Sequence, residues 1–145
     1  MAKCVGFKTF KERGEWVEAQ FIAQALRKGF RVLKPWGDSS SYDVGVEYGR
    51  QFFRMQVKST SFQVGNGYLC AFKPNRKGRR YSTKRVDFFA AYVIPEDVWY
   101  VLPSSVVLKT RGNNLMLCPV RTPKRNRYRY ESYREAWKLL RHVSS

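Results

Sequence analysis

Residues 42–59, YDVGVEYGRQFFRMQVKS, carry the pattern that decides the fold. Apolar and polar residues alternate on both sides of Gly49-Arg50. A two-residue turn with glycine first suits a type II′ hairpin, because glycine accepts positive φ at that position. Such a turn sets the register: Tyr48 opposes Gln51, Glu47 opposes Phe52, and Asp43 opposes Gln56. Side chains alternate along a strand, so Val44, Val46, Phe53, Met55 and Val57 share one apolar face. Asp43, Gln56 and Lys58 share the other. Opposed Cβ atoms sit about 4.5–5.5 Å apart, and Lys58 lies on the adjacent diagonal. An acid, an amide and an amine thus gather in one patch, which a slip of one residue would scatter. The patch reads either as a solvated salt bridge on an outer sheet face or as a site.

Working outward, residues 12–28 read as a helix closed by Gly29, with Arg27 and Lys28 in its last turn. Residues 30–34 form a short strand ended by Pro35, and residues 36–41 (WGDSSS) a loop. The hairpin strands span 42–48 and 51–59. Further strands are expected at 68–72, 88–94, 98–102 and 115–120, and a closing helix at 132–142. Trp16, Trp99 and Trp137 read as core, as do the tyrosines around the closing helix. Asp87, opening a strand, reads as a local cap. No repeat or linker divides the chain, so 1–145 is read as a single domain.

The chain has 145 residues, with 28 Lys and Arg against 11 Asp and Glu, a formal net charge of +17. Hydrophobic residues make up 43%, ample for a packed core, which excludes wholesale disorder. The charge points to a polyanionic partner, nucleic acid before membrane. No apolar run approaches the roughly 20 residues that span a bilayer, and no basic amphipathic helix supports a membrane surface. Cys4, Cys70 and Cys118 form no zinc pattern. They suit a reducing compartment, and the expected localisation is cytoplasmic. One histidine, His142, excludes a His-rich metal site and makes a Ser-His-Asp triad improbable. Catalysis, if present, falls to carboxylates, lysines and a metal. Two basic stretches contain Lys73, Arg76, Lys77, Arg79, Arg80, Lys84 and Arg85, then Lys124, Arg125, Arg127 and Arg129. They suit backbone phosphate contacts, which give affinity and salt dependence without reading sequence.

At about 100° per residue, Glu15, Ala19, Ile22, Ala25 and Leu26 of the first helix fall in one arc, with Glu18 at its edge. A carboxylate on a core-facing arc is costly unless paired or ligated. Both acids are candidates to approach Asp43.

A helix acid, an Asp opening one strand and Gln56-Val57-Lys58 on the next follow the order of the PD-(D/E)XK nuclease superfamily. GEWVEAQFIAQALRKGFRV (14–32), KPWGDSSSYDVGVE (34–47), FRMQVKST (53–60) and VDFFAAYVIPEDVWYVLP (86–103) resemble its group I intron-associated, homing-type endonucleases. The resemblance covers residues 12–119. It implies an α/β fold with a restriction-endonuclease-like mixed β-sheet core flanked by helices, αβββαβ-type with extra strands. It also implies a Mg²⁺-dependent endonuclease, Mn²⁺ being a substitute, that acts on double-stranded DNA as a homo-oligomer (dimer or tetramer). By position, Asp43 matches the metal-binding Asp, Gln56 the Glu/Gln and Lys58 the lysine of the motif. Counting back from Gly29 picks out Glu18 as the helix acid, while Gly14-Glu15 also resembles the family's Gly-Glu pair and keeps Glu15 in reserve. Metal ligands would be Asp43, Gln56, the carbonyl of Val57 and Glu18. Tyr42 stands where the general pattern has Pro, and no long helix is evident after the third strand. The competing readings are a Holliday-junction or repair nuclease and a catalytically silent DNA-binding module of the same fold.

Overall fold

The computed structural model describes residues 6–37, 39–72, 85–110, 112–119 and 129–141. Its first element, α1 (Phe10–Arg27), starts and stops where local chemistry dictates. The Glu12 N–H donates to the Thr9 hydroxyl at 3.1 Å, and the Lys8 N–H donates to the Glu12 carboxylate at 2.7 Å. This reciprocal cap satisfies donors that a first helical turn leaves unpaired. At the far end Gly29 adopts φ 89°. Phe30 N–H then donates to Ala25 C=O, and Gly29 N–H to Leu26 C=O, each at 3.0 Å. That Schellman closure turns the chain into β1 (Arg31–Leu33).

Along the chain follow β2 (Val44–Tyr48), β3 (Gln51–Thr60), β4 (Gln63–Val64), β5 (Gly67–Ala71), β6 (Phe88–Val93), β7 (Val98–Pro103), α2 (Ser104–Leu108) and β8 (Asn114–Leu117). A five-stranded mixed sheet runs in the order β1-β2-β3-β6-β7, antiparallel except between β3 and β6. A smaller sheet, β4-β5-β8, lies beside it. Where a helix would follow the third strand, the described chain has the β4–β5 hairpin. The expected strands are present, and β4 and α2 are additions.

Each face of the large sheet has its own core. On one face Val17, Phe21 and Ala25 of α1 pack with Val44, Val46, Met55, Ala90, Trp99 and Val101. Phe21 stacks on Trp137 at 5.4 Å and meets Trp99 edge-on at 5.5 Å. On the other face Phe89, Ala91, Tyr100 and Leu102 pack with Tyr68, Cys70, Leu115 and Leu117 of the small sheet. Burial on both faces explains why β6 reads as a continuous apolar run, FFAAYV. Two clamps hold β3. Arg54 gives its backbone N–H and its guanidinium to the Asp87 carboxylate at 2.7–3.2 Å, and Arg13 donates to the hydroxyls of Ser59 and Ser61. Asp87, expected to cap locally, instead ties the start of β6 to β3 through Arg54, 33 residues away in sequence.

Two further expectations are corrected. The buried stripe of α1 is Val17, Phe21 and Ala25, so the core-facing arc is rotated from the expected one. Glu15, Ala19 and Leu26 are exposed, and Glu18 is half-buried at the stripe's edge. The closing α-helix is instead two 3-10 turns, Glu131–Tyr133 and Trp137–Arg141. Glu135 between them sits at φ 48°. Its N–H donates to Trp99 C=O at 2.7 Å, and its carboxylate accepts from Trp99 N–H at 2.9 Å and Trp137 Nε1 at 2.7 Å. Docking on the edge of β7 therefore overrides helix propensity. Trp99, Trp137 and Tyr130 are buried, and Trp16 and Tyr133 partly so, in line with a core reading.

Candidate active site

The hairpin supplies the site. Its register is the one the turn dictates, from Val44 opposite Met55 to Tyr48 opposite Gln51, with Gly49 at φ 61°. Asp43 stands just before β2. Its N–H donates to Met55 C=O at 2.9 Å, and its Oδ2 accepts the Val57 N–H at 2.9 Å. Its carboxylate is therefore pinned across β3 at the level of Gln56. Burial pushes the Asp43 carboxyl above its ordinary 3.8, and three effects oppose that: the Val57 N–H, then the charges of Lys58 and Lys34.

Gln56 is buried, at 9% exposure. Its Oε1 accepts no hydrogen bond among the described residues. A buried polar atom without a partner costs about 1–3 kcal/mol, so it marks a place where a ligand is missing or expected. Lys58 lies two residues on, on the same face of β3. Its charge acts on Asp43 and on the buried Cys70, whose thiol is pushed up to about 12 by burial against the charges of Lys58 and Arg13.

Glu18 comes from α1. Its carboxylate takes the Lys34 ammonium in an ion pair, with side-chain exposures of 22% and 55%. Lys34 follows β1, and Leu33 opposite Gly45 brings it level with the start of β2. The same ammonium acts on Asp43. Lys34 is thus a site residue absent from the sequence-based set. The signal that could have found it is the β1–β2 antiparallel register, which sets a residue just past β1 beside one just before β2. Glu15 is exposed and is not part of the group.

No cluster of three or more His, Cys, Asp and Glu able to hold a metal occurs among the described residues. The oxygen donors among the candidate residues are the carboxylates of Asp43 and Glu18 and the unpartnered Gln56 Oε1. That set fits a hard divalent ion such as Mg²⁺, which takes one or two carboxylates and keeps several waters. It does not fit a softer metal that wants imidazole or thiolate.

Of the basic residues assigned to the backbone, Arg85 and Arg129 are exposed. Lys73, Arg76, Lys77, Arg79, Arg80, Lys84, Lys124, Arg125 and Arg127 lie outside the described residues. Trp36, in the loop before Asp43, is 99% exposed. No described helix is long and apolar enough to cross a membrane.

A family model for PD-(D/E)XK endonucleases matches residues 8–140. Among solved structures, the chain is similar to a bacterial homing endonuclease, I-Ssp6803I. The two are 30% identical and superpose with a TM-score of 0.79, over 93% of this chain and 94% of that one. No curated protein matches it. The mixed sheet flanked by helices is the restriction-endonuclease-like core that the resemblance implied. The chain belongs to the PD-(D/E)XK endonuclease family.

Proposed function

We propose that this protein is a Mg²⁺-dependent DNA endonuclease of the homing type, with Glu18, Asp43, Gln56 and Lys58 as its active site. The observation that carries the reading is the Asp43 carboxylate pinned to the β3 amide next to Gln56, whose buried Oε1 has no partner among the described residues. Asp43 is the direct metal ligand, Gln56 gives a neutral oxygen, the Val57 carbonyl is a further donor, and Glu18 completes the set from the helix. A bound divalent ion supplies an activated water and neutralises charge on the phosphate. Lys58 stabilises the negative charge that develops on the phosphate as the bond breaks. Because Gln56 brings no charge, metal affinity is lower than with a Glu at that position. Mn²⁺ replaces Mg²⁺, since both are octahedral oxygen-seeking ions.

The substrate is double-stranded DNA, held by the basic stretches that account for most of the +17 charge. One small domain spanning 1–145 reads few base pairs, so the active form is a homo-oligomer. The buried thiols of Cys70 and Cys118, neither in a disulfide among the described residues, suit a reducing cytoplasm.

The test is cleavage of linear, supercoiled and four-way-junction DNA, with and without Mg²⁺, by wild type, Asp43→Ala and Lys58→Ala. Metal-dependent cutting at a long site by wild type alone supports the reading. Preference for the junction would turn it toward a resolvase. Binding without cutting would make the chain a silent module, and cutting that survives either substitution would overturn the site.

A further inference from the structure

Lys34 is the cation that holds Glu18. Its ammonium pairs with Glu18, and its charge, after that of Lys58, acts on Asp43; these are the two carboxylates assigned to metal binding. A divalent ion held by Glu18 would need the carboxylate oxygen that Lys34 now takes. The two cations exclude one another.

The side chain is built to leave. Its backbone is fixed by the pairing of Leu33 with Gly45 and by Pro35 behind it. Its side chain, a flexible four-carbon stem ending in the ammonium, is 55% exposed, while the Glu18 side chain is 22% exposed and stays with the helix. A lysine released from Glu18 at the mouth of the site meets the nearest polyanion, the DNA backbone.

We propose that Lys34 is an exchangeable counter-cation that couples metal binding to DNA binding. In the free protein it holds Glu18 and keeps metal affinity low. With DNA bound it turns to a backbone phosphate and leaves Glu18 to the metal. Each ligand then favours the other by the same factor, as linkage requires. This rests on the proposed nuclease site, and the experiment separates the two.

Mn²⁺ is titrated into DNA-free protein at fixed pH, and free Mn²⁺ is read by electron paramagnetic resonance. Wild type, Lys34→Met, Lys34→Gln, Lys34→Arg and Asp43→Ala are compared, each checked for a wild-type thermal melt. The expected result is that Lys34→Met and Lys34→Gln bind Mn²⁺ about fivefold or more tightly, at the low end of usual coupling factors. Lys34→Arg stays near wild type. In Ca²⁺, a 40-base-pair duplex tightens metal binding for wild type, and the factor approaches unity in Lys34→Met. Unchanged or weaker Mn²⁺ binding in both neutral variants overturns the exchange, even if Asp43→Ala abolishes binding. Mn²⁺ binding that survives Asp43→Ala overturns the site assignment itself.

Discussion

The two ends of the large sheet use their acids differently. At the β6–β7 end Glu96, Asp97, Glu131 and Glu135 each take a donor from a neutral side chain or the backbone, Glu131 with an ion pair to Arg134 besides. Tyr68 donates to Glu96 at 2.8 Å, Tyr92 to Asp97 at 2.5 Å and Tyr100 to Glu131 at 2.5 Å, while Glu135 takes the Trp99 N–H and the Trp137 indole. At the β2–β3 end Asp43 has one backbone N–H, Glu18 has a lysine, and the Gln56 oxygen has nothing. Carboxylates saturated by fixed donors staple the fold. Carboxylates facing lysines, beside a glutamine oxygen without a partner among the described residues, fit the proposed ligand site. In a chain with so few acids, this division separates chemistry from structure.

The comparison breaks if substitutions at the two ends have the same effect. The largest expected change is in cleavage: Asp43→Asn lowers the rate of DNA cutting by about 10²–10³-fold, with no loss of thermal stability. Single-turnover cleavage and a thermal melt on one preparation check this. At the opposite end Glu135→Ala leaves two donors unpaired and destabilises by about 2–3 kcal/mol, read by urea unfolding. Its cleavage rate per folded molecule stays near wild type.

Smaller effects sharpen the picture. A Cβ on Gly45 would lie 2.4 Å from the Phe52 ring. That ring is 43% exposed and can swing, so Gly45→Ala costs about 1 kcal/mol, measurable as a shift in urea midpoint. The smallest effect is in pH dependence. Burial raises the folded-state Asp43 carboxyl above 3.8. The unfolded chain therefore releases that proton first, and the group's contribution to stability, full below 3.8, is lost as pH rises through the folded value. In EDTA, Asp43→Asn should melt slightly higher than wild type at pH 7, and the gain should vanish below the ordinary carboxylate range. A gain that persists at low pH would mean that burial is not what strains Asp43.

The hairpin was legible because a two-residue turn makes register a matter of counting. That count predicts the pairing from Val44–Met55 to Tyr48–Gln51, while Asp43 lies just before β2 and donates its N–H to Met55 C=O. The C-terminal end of α1 was legible from Gly29 and the composition of its last turn, whereas its start at Phe10, capped by Thr9, lies two residues before the expected one. Its face was not legible, because apolar side chains occur nearly all around it. What selects Val17, Phe21 and Ala25 is contact with Trp99 and Trp137, which are remote in sequence. The same contact region explains the missing closing helix, since the bonds that bend the chain at Glu135 are tertiary. Lys34 escaped notice because its role depends on how β1 pairs with β2, and no tight turn joins those strands to set their register.

The bond between Asp43 and the Val57 amide also gives the protein a built-in reporter. Most amides of a strand are held by a neighbouring backbone, and their exchange with solvent follows opening of the sheet. The Val57 proton is held by a side chain instead. Its nuclear resonance and its exchange rate therefore follow one carboxylate. Protonating that group, or drawing it toward a cation, shifts this one signal while its neighbours in β3 stay still. The state of the site can thus be read from a single backbone proton, with no DNA cut.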